Sequence, residues 1–191
     1  MTADNVHEAI NKFSEGRMSL LEYGTGASTV QAAENGLICF SVETDWKYFL
    51  EISERLESYL FNRKVWIFYC DIGPVKEWGF PISDEPDPKF LRYSLFPWVQ
   101  AERMAINPDL ILIDGRFRVA SFLSSYQRAE PGTIILFNDY YTRPEYQVVE
   151  RIGSPFLQIG DLAVFCVTES EKRELNDEKY ITLIEYLLNP R

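Results

Sequence analysis

The sequence predicts an α/β domain with a doubly wound, mostly parallel seven-stranded sheet closed by a C-terminal antiparallel hairpin. Three observations predict it. Five short β-prone runs alternate with stretches of helical periodicity, which requires parallel pairing through right-handed crossovers. A glycine turn joins the first run to the helix behind it, as open α/β sheets place it at their ligand crevice. Two further β-prone runs near the C-terminus are joined only by Gly160-Asp161, which signals a hairpin. A chain of 191 residues suits one domain, spanning residues 1–191.

Each element has its own warrant. Val6, Ala9, Ile10 and Phe13 recur at helical spacing and Gly16 is placed to end a leading helix. Residues 18–23 form a strand that stops at Gly24-Thr25-Gly26, after which Ser28 or Thr29 can cap a helix lasting to Asn35-Gly36. The second strand is 38–42, and the helix from about Asp45 puts Phe49, Ile52, Leu56 and Leu60 on one face. A third strand covers 65–70. Strands four and five, 110–113 and 133–137, flank a helix with Val119, Phe122, Leu123 and Tyr126 on its stripe and Pro131-Gly132 at its end. The hairpin pairs 154–159 with 162–168. A last helix is predicted from Asn176-Asp177-Glu178, with Ile181, Ile184 and Leu188 buried.

Between strands three and four, residues 71–92 carry Gly73, Pro74, Gly79, Pro81, Pro86 and Pro88 and cannot form one regular element. A loop of that length is more often functional than idle. Trp78, Phe80 and the run from Tyr93 to Trp98 supply aromatic surface, either as a substrate-side lid or as cover for the edge of the core.

Composition narrows the function. Apolar residues are 46% of the chain, and 29 acidic against 19 basic residues give a formal charge of −10. Such a surface repels a polyanion, so a nucleic-acid partner is disfavoured. No apolar run is long enough to span a bilayer and the N-terminus has no secretion signal, so a cytoplasmic location without a membrane partner is expected. Cys39, Cys70 and Cys166 sit in strand-like runs and read as packed thiols. His7 is the only histidine, which excludes, for a single chain, the triads and zinc sites that need several imidazoles. The oligomeric state is not legible.

The motif with chemical content is Glu22-Tyr23-Gly24-Thr25-Gly26-Ala27-Ser28-Thr29 at the first strand-to-helix turn. Its glycines allow a sharp bend and close approach of a ligand to the backbone. Glu43, about 20 residues further on at the end of strand two, is placed to accept hydrogen bonds from the hydroxyls of a ribose. A dinucleotide fingerprint would want a third glycine where Thr29 stands.

This motif, with Ser41-Val42-Glu43-Thr44-Asp45, Asp71-Ile72 and the stretch Leu110-Ile111-Leu112-Ile113-Asp114-Gly115, resembles the class I S-adenosylmethionine-dependent methyltransferase superfamily. With Arg116-Phe117-Arg118 and Asn138-Asp139-Tyr140, the chain looks like a group of small bacterial methyltransferase-like proteins within it. The resemblance runs from about residue 18 to 168. It implies a Rossmann-like methyltransferase fold and S-adenosylmethionine as cofactor, held by Glu22, Gly24, Thr25, Gly26, Ser28, Glu43, Thr44, Asp71, Ile72 and Asp114. In it Glu22 faces the methionine part, Asp71 the adenine amino group, and Asp114 the transferred methyl.

Methyl transfer from a sulfonium needs alignment of donor and acceptor and, for a hydroxyl acceptor, removal of a proton. Asp114 and Asp139, past the ends of strands four and five, are the candidate catalytic residues. Some catechol-type O-methyltransferases hold magnesium with an aspartate after strand four and an Asp-Asn pair after strand five. Here the pair is reversed as Asn138-Asp139, and no metal is expected. Arg116, Arg118 and Arg143 follow the same strands. Either they surround an anionic small-molecule acceptor, with Arg116, Arg143 and Trp78 as substrate-binding residues, or they pair with Asp114, Asp139 and Glu145; pairing is favoured for Arg118, expected inside the helix. The Asn/Asp-Pro-Pro-aromatic motif of amino-methylating relatives does not occur, which favours O-methylation. Two other readings stand beside this one: a catalytically silent S-adenosylmethionine-binding or interaction domain, and a nicotinamide oxidoreductase.

Overall fold

The structure is a computed structural model that describes residues 2–83, 85–174, 183, 186, 188 and 189. Its elements run α1 (Thr2–Ser14), β1 (Ser19–Tyr23), α2 (Ala27–Glu34), β2 (Ile38–Glu43), α3 (Trp46–Arg55), α4 (Glu57–Phe61), β3 (Val65–Tyr69), α5 (Phe90–Arg103), β4 (Leu110–Ile113), α6 (Arg118–Arg128), β5 (Ile134–Phe137), β6 (Leu157–Ile159), β7 (Leu162–Cys166) and α7 (Glu169–Glu174). Short 3₁₀ segments cover Glu77–Gly79 and Pro144–Arg151.

The seven strands lie in the order β3-β2-β1-β4-β5-β7-β6. The first five are parallel, while β7 inserts antiparallel between β5 and β6. Chain order reverses between β1 and β4, so the crevice of the fold opens at their carboxyl ends. The central strands are apolar almost throughout because both faces are covered. Leu21, Tyr23, Ile111 and Ile113 face one core layer, shared with Tyr93 and Trp98 of α5 and Phe122 of α6. Leu20, Leu110 and Leu112 face the other, shared with Ile10 of α1, Ala32 of α2 and Ile52 of α3.

Three expectations change in detail. The helix after β2 breaks at Leu56, whose φ of −101° and ψ of 10° interrupt the helical path between α3 and α4. Asp45 caps α3, its Oδ1 accepting from the amides of Lys47 and Tyr48 at 2.9 and 3.2 Å. Neither Ser28 nor Thr29 is the N-cap of α2: Gly26 is, its amide donating to the Thr29 hydroxyl at 3.0 Å, while both hydroxyls donate down to Glu22. The run from Tyr93 to Trp98 is neither lid nor surface but part of α5. There the Tyr23 hydroxyl donates to the Ser94 carbonyl at 2.8 Å and receives the Trp98 indole N–H at 3.0 Å.

Cys39 and Cys70 are buried free thiols, and Cys166 is a half-buried one. Burial pushes both buried thiols up, Cys70 to about 12. Among the described residues no helix is long and apolar enough to cross a membrane. The helix expected from residue 176, with Ile181 and Ile184, lies outside the described residues.

Candidate functional site

A cavity of about 380 Å³ opens at the switch point, lined from β1 and α2 by Gly24, Thr25, Gly26, Ala27 and Ser28, and from β2 by Glu43 and Thr44. Asp114, Gly115 and Arg116 after β4 line the opposite side, with Asn138 after β5.

The floor is set by two glycines. Gly24 has a φ of +91°, and a side-chain carbon on it would stand 2.8 Å from the Gly115 Cα. One on Gly115 would stand 2.0 Å from the Tyr93 hydroxyl oxygen. The turns after β1 and β4 therefore touch backbone to backbone, held by the Asp114 amide on the Tyr23 carbonyl at 3.0 Å. Gly24 is needed for this packing as well as for any ligand.

Glu22 lies beneath that floor, fully buried, and does not line the cavity. The hydroxyls of Ser28, Thr29 and Ser41 all donate to its carboxylate. Burial pushes its pKa up to about 7, against the pull of those three hydrogen bonds. Glu22 thus ties β1 to β2 and to the first turn of α2. Glu43 does line the cavity, its Oε1 accepting from the amides of Thr44 at 2.7 Å and Asp45 at 2.9 Å. The Thr25 amide is a further donor; burial nevertheless holds Glu43 above its ordinary value. The Thr25 hydroxyl, on a residue 6% exposed, has no hydrogen-bond partner within the chain.

Across the cavity, Asp114 accepts from the Asn138 amide at 2.7 Å and from Arg118 at 3.2 Å. Burial raises its pKa more than Arg118 lowers it. Arg118 is the first residue of α6 and reaches back to the strand ends, where it also holds Asp139 at 3.0 Å. Asp139 and Arg143 do not line the cavity; they pair with each other at 3.5 Å. Arg116 is different. Its guanidinium lies 4.0 Å over the Phe80 ring, its buried Nε has no partner, and it lines the cavity.

The segment after β3 crosses this opening as a strap. The Lys76 amide donates to the Phe80 carbonyl at 2.7 Å, and Val75 bridges to Pro81. The Thr44 hydroxyl fastens it to β2 through the Gly79 carbonyl at 3.2 Å, while Phe80 rests on Arg116 at β4. Trp78 at its tip has a left-handed φ of 63°, is 83% exposed and lines the cavity. Strain of that kind, of order 1–3 kcal/mol, collects at ligand clamps.

Of the sequence-predicted residues, Gly24, Thr25, Gly26, Ser28, Glu43, Thr44, Trp78, Asp114 and Arg116 share this cavity. Asp71 is exposed and accepts the Gly73 amide at 2.9 Å in a local turn, and Ile72 is buried in the core; neither lines it. Sequence reasoning missed Val6 and His7 of α1, Tyr48 one turn past the Asp45 cap, and Tyr93 of α5. Asn138 was visible beside Asp139, and it is the amide rather than the acid that faces the cavity. Among the described residues no three His, Cys, Asp or Glu side chains are placed to hold a metal.

No protein-family profile matches the sequence, and no curated protein does. Among solved structures, the chain is similar to a methyltransferase-like protein from Silicibacter pomeroyi DSS-3, at 33% identity and a TM-score of 0.79 over 97% of this chain and 95% of that one. It shares its architecture with an O-methyltransferase from Bacillus cereus in complex with SAH, at 20% identity and a TM-score of 0.53, matching 81% of this chain and 63% of that one. An RNA methyltransferase from Salinibacter ruber has the same fold at 11% identity and a TM-score of 0.50, over 86% of this chain and 91% of that one. With the strand order, the glycine floor and a relative this similar over nearly its whole length, the chain belongs to the class I S-adenosylmethionine-dependent methyltransferase superfamily.

Proposed function

We propose that the protein transfers a methyl group from S-adenosylmethionine to an oxygen of a small anionic metabolite. The observation that carries this reading is one cavity with a carboxylate and an unmet hydroxyl on one side and an unmet guanidinium N–H on the other. Glu43 and the unpartnered Thr25 hydroxyl stand on one side and the unpartnered Arg116 Nε on the other. Buried polar atoms without partners are rare and call for a ligand.

The donor fits the first side. Gly24, Thr25, Gly26 and Ser28 bring backbone and hydroxyls close, and Glu43 offers carboxylate lone pairs to ribose hydroxyls. Bound there, S-adenosylmethionine supplies an electrophilic methyl on sulfur. The protein's part is alignment and, for a hydroxyl acceptor, taking up its proton. Of the two candidate bases, Asp114 is the one that lines the cavity, and burial has made its carboxylate a better base. Arg116, backed by the Phe80 ring, meets the acceptor's negative charge, with Trp78 also lining the cavity. The charge of −10 weighs against an RNA substrate, since the fold shared with an RNA methyltransferase specifies no substrate.

Titration calorimetry with S-adenosylhomocysteine and with NAD tests the donor; the reading fails if NAD binds and the homocysteine nucleoside does not. Isotope-labelled methyl transfer to a panel of hydroxylated carboxylates and phosphates tests the acceptor. Once an acceptor is found, Arg116→Ala should weaken its binding by about tenfold to a hundredfold, the worth of one charge-assisted hydrogen bond. A silent donor-binding domain is the second reading. It is favoured by the engagement of Asp139 with Arg118 and Arg143, and donor binding without turnover on any acceptor supports it.

A further inference from the structure

Arg118 occupies an unusual place. It opens α6, where the helix dipole disfavours a cation, and its side chain is 3% exposed. Burial of a guanidinium is tolerable only when its charge and its five N–H donors are met. All are met here. Nε donates to the Gly115 carbonyl at 3.0 Å, Nη1 to the Asn138 carbonyl at 2.7 Å and Asp139 Oδ2 at 3.0 Å, and Nη2 to the Asp114 carbonyl at 3.1 Å and Asp114 Oδ1 at 3.2 Å.

The groups so gathered are two carboxylates and three main-chain carbonyls from the ends of β4 and β5, with the Asn138 side-chain amide between them. Carboxylate and carbonyl oxygens converging on one point are the donor set of a hard divalent cation. Three features make them unfit to hold one. Asp114 Oδ1 already accepts two donors, from Arg118 and from the Asn138 amide. Asp139 Oδ2 faces both Arg118 and Arg143. Asn138 points its N–H, not its oxygen, at Asp114, and its Oδ1 has no partner. An entering dication would meet a fixed positive charge in the middle of its ligand set.

We infer that the Arg118 guanidinium is a resident cation that takes the place of a divalent metal between Asp114 and Asp139. Arg118 is a positioning residue: it fixes the Asp114 carboxylate that lines the cavity, and the site works without metal.

Manganese(II) titration of the full chain, followed by electron paramagnetic resonance, tests this whether or not the protein transfers methyl groups. Wild type should show no saturable manganese site. Arg118→Met, which removes the cation that both carboxylates share, should acquire one, and adding Asp139→Asn to it should remove that site. Arg118→Lys, which keeps a charge in place, should stay blind to manganese. A saturable site in wild type that Asp139→Asn abolishes would overturn the inference. So would a folded Arg118→Met variant, verified by circular dichroism, that gains no manganese. If Arg118→Met does not fold, the wild-type and Arg118→Lys titrations still decide: a manganese site in either at the aspartate pair sinks the proposal, and none in either supports it.

Discussion

Glu22 and Glu43 stand on one side of the crevice and Asp114 and Asp139 on the other, and the two sides satisfy these acids by different means. Glu22 and Glu43, on β1 and β2, accept only from neutral hydroxyls and backbone amides in the contacts described above. Asp114 and Asp139, beyond β4 and β5, are held by guanidinium groups. Neutral donors stabilise a carboxylate but leave its charge uncompensated, so burial prevails and the pKa rises. A buried guanidinium compensates the charge and becomes indispensable in turn, since removing it strands two carboxylates. The donor side, with Glu22 pushed up to about 7, is therefore the softer toward pH, although burial also raises Asp114 against the pull of Arg118; the acceptor side is the more rigid and the less tolerant of substitution.

The largest expected effect breaks the rigid side. Arg118→Met should cost about 3–5 kcal/mol of unfolding free energy in urea at neutral pH, as loss of one partner of a buried ion cluster does. A cost under about 1 kcal/mol would mean that the cluster is solvated rather than buried. Next comes the soft side. Glu22 has an ordinary value of 4.5 and a folded value of about 7, so the folded state holds the proton more tightly. Its stabilising contribution is full below pH 4.5 and is lost as pH rises through about 7, amounting to about 3 kcal/mol at most. Glu43 and Asp114 are shifted in the same direction, so the comparison must be with a single variant. Glu22→Gln cannot lose that proton, and its unfolding free energy should fall less steeply than wild type between pH 5 and 8. Parallel curves would show that Glu22 is ionised throughout.

The same contrast explains what could be read from sequence. Apolar strands covered on both faces, the glycine bend and the Gly160-Asp161 hairpin are written in consecutive residues, and all seven strands were legible. Helix α5 was not, because Pro97 in its interior and the prolines before it imitate a loop; burial of Tyr93 and Trp98 overrides that local signal. Residues placed by strand ends, such as Gly24, Glu43, Asp114 and Arg116, fell in the cavity as expected. Residues placed by how a helix packs did not announce themselves: His7 and Tyr48 reach the cavity from faces whose periodicity only marks neighbours as core. Pairing of Arg118 with the acids is the reading the sequence favours; that its one guanidinium reaches both Asp114 and Asp139 was not legible, since the direction of one side chain is set by partners distant in the chain.

Two smaller effects sharpen the donor side. Glu43→Ala should weaken S-adenosylhomocysteine binding by about 1.5–3 kcal/mol by calorimetry, the range for hydrogen bonds to a charged group. Equal affinity would remove Glu43 from the nucleoside site. Asp71 should matter least. It follows β3, the outer strand of the sheet, and its carboxylate is spent on the Gly73 amide in an exposed turn away from the cavity lining. Asp71→Ala should therefore change donor affinity by less than about twofold, within the usual range for a surface substitution. A tenfold loss would instead mean that the strap carrying Trp78 rearranges when the donor binds, bringing the end of β3 over the cavity that Glu43 and Thr44 now share with it.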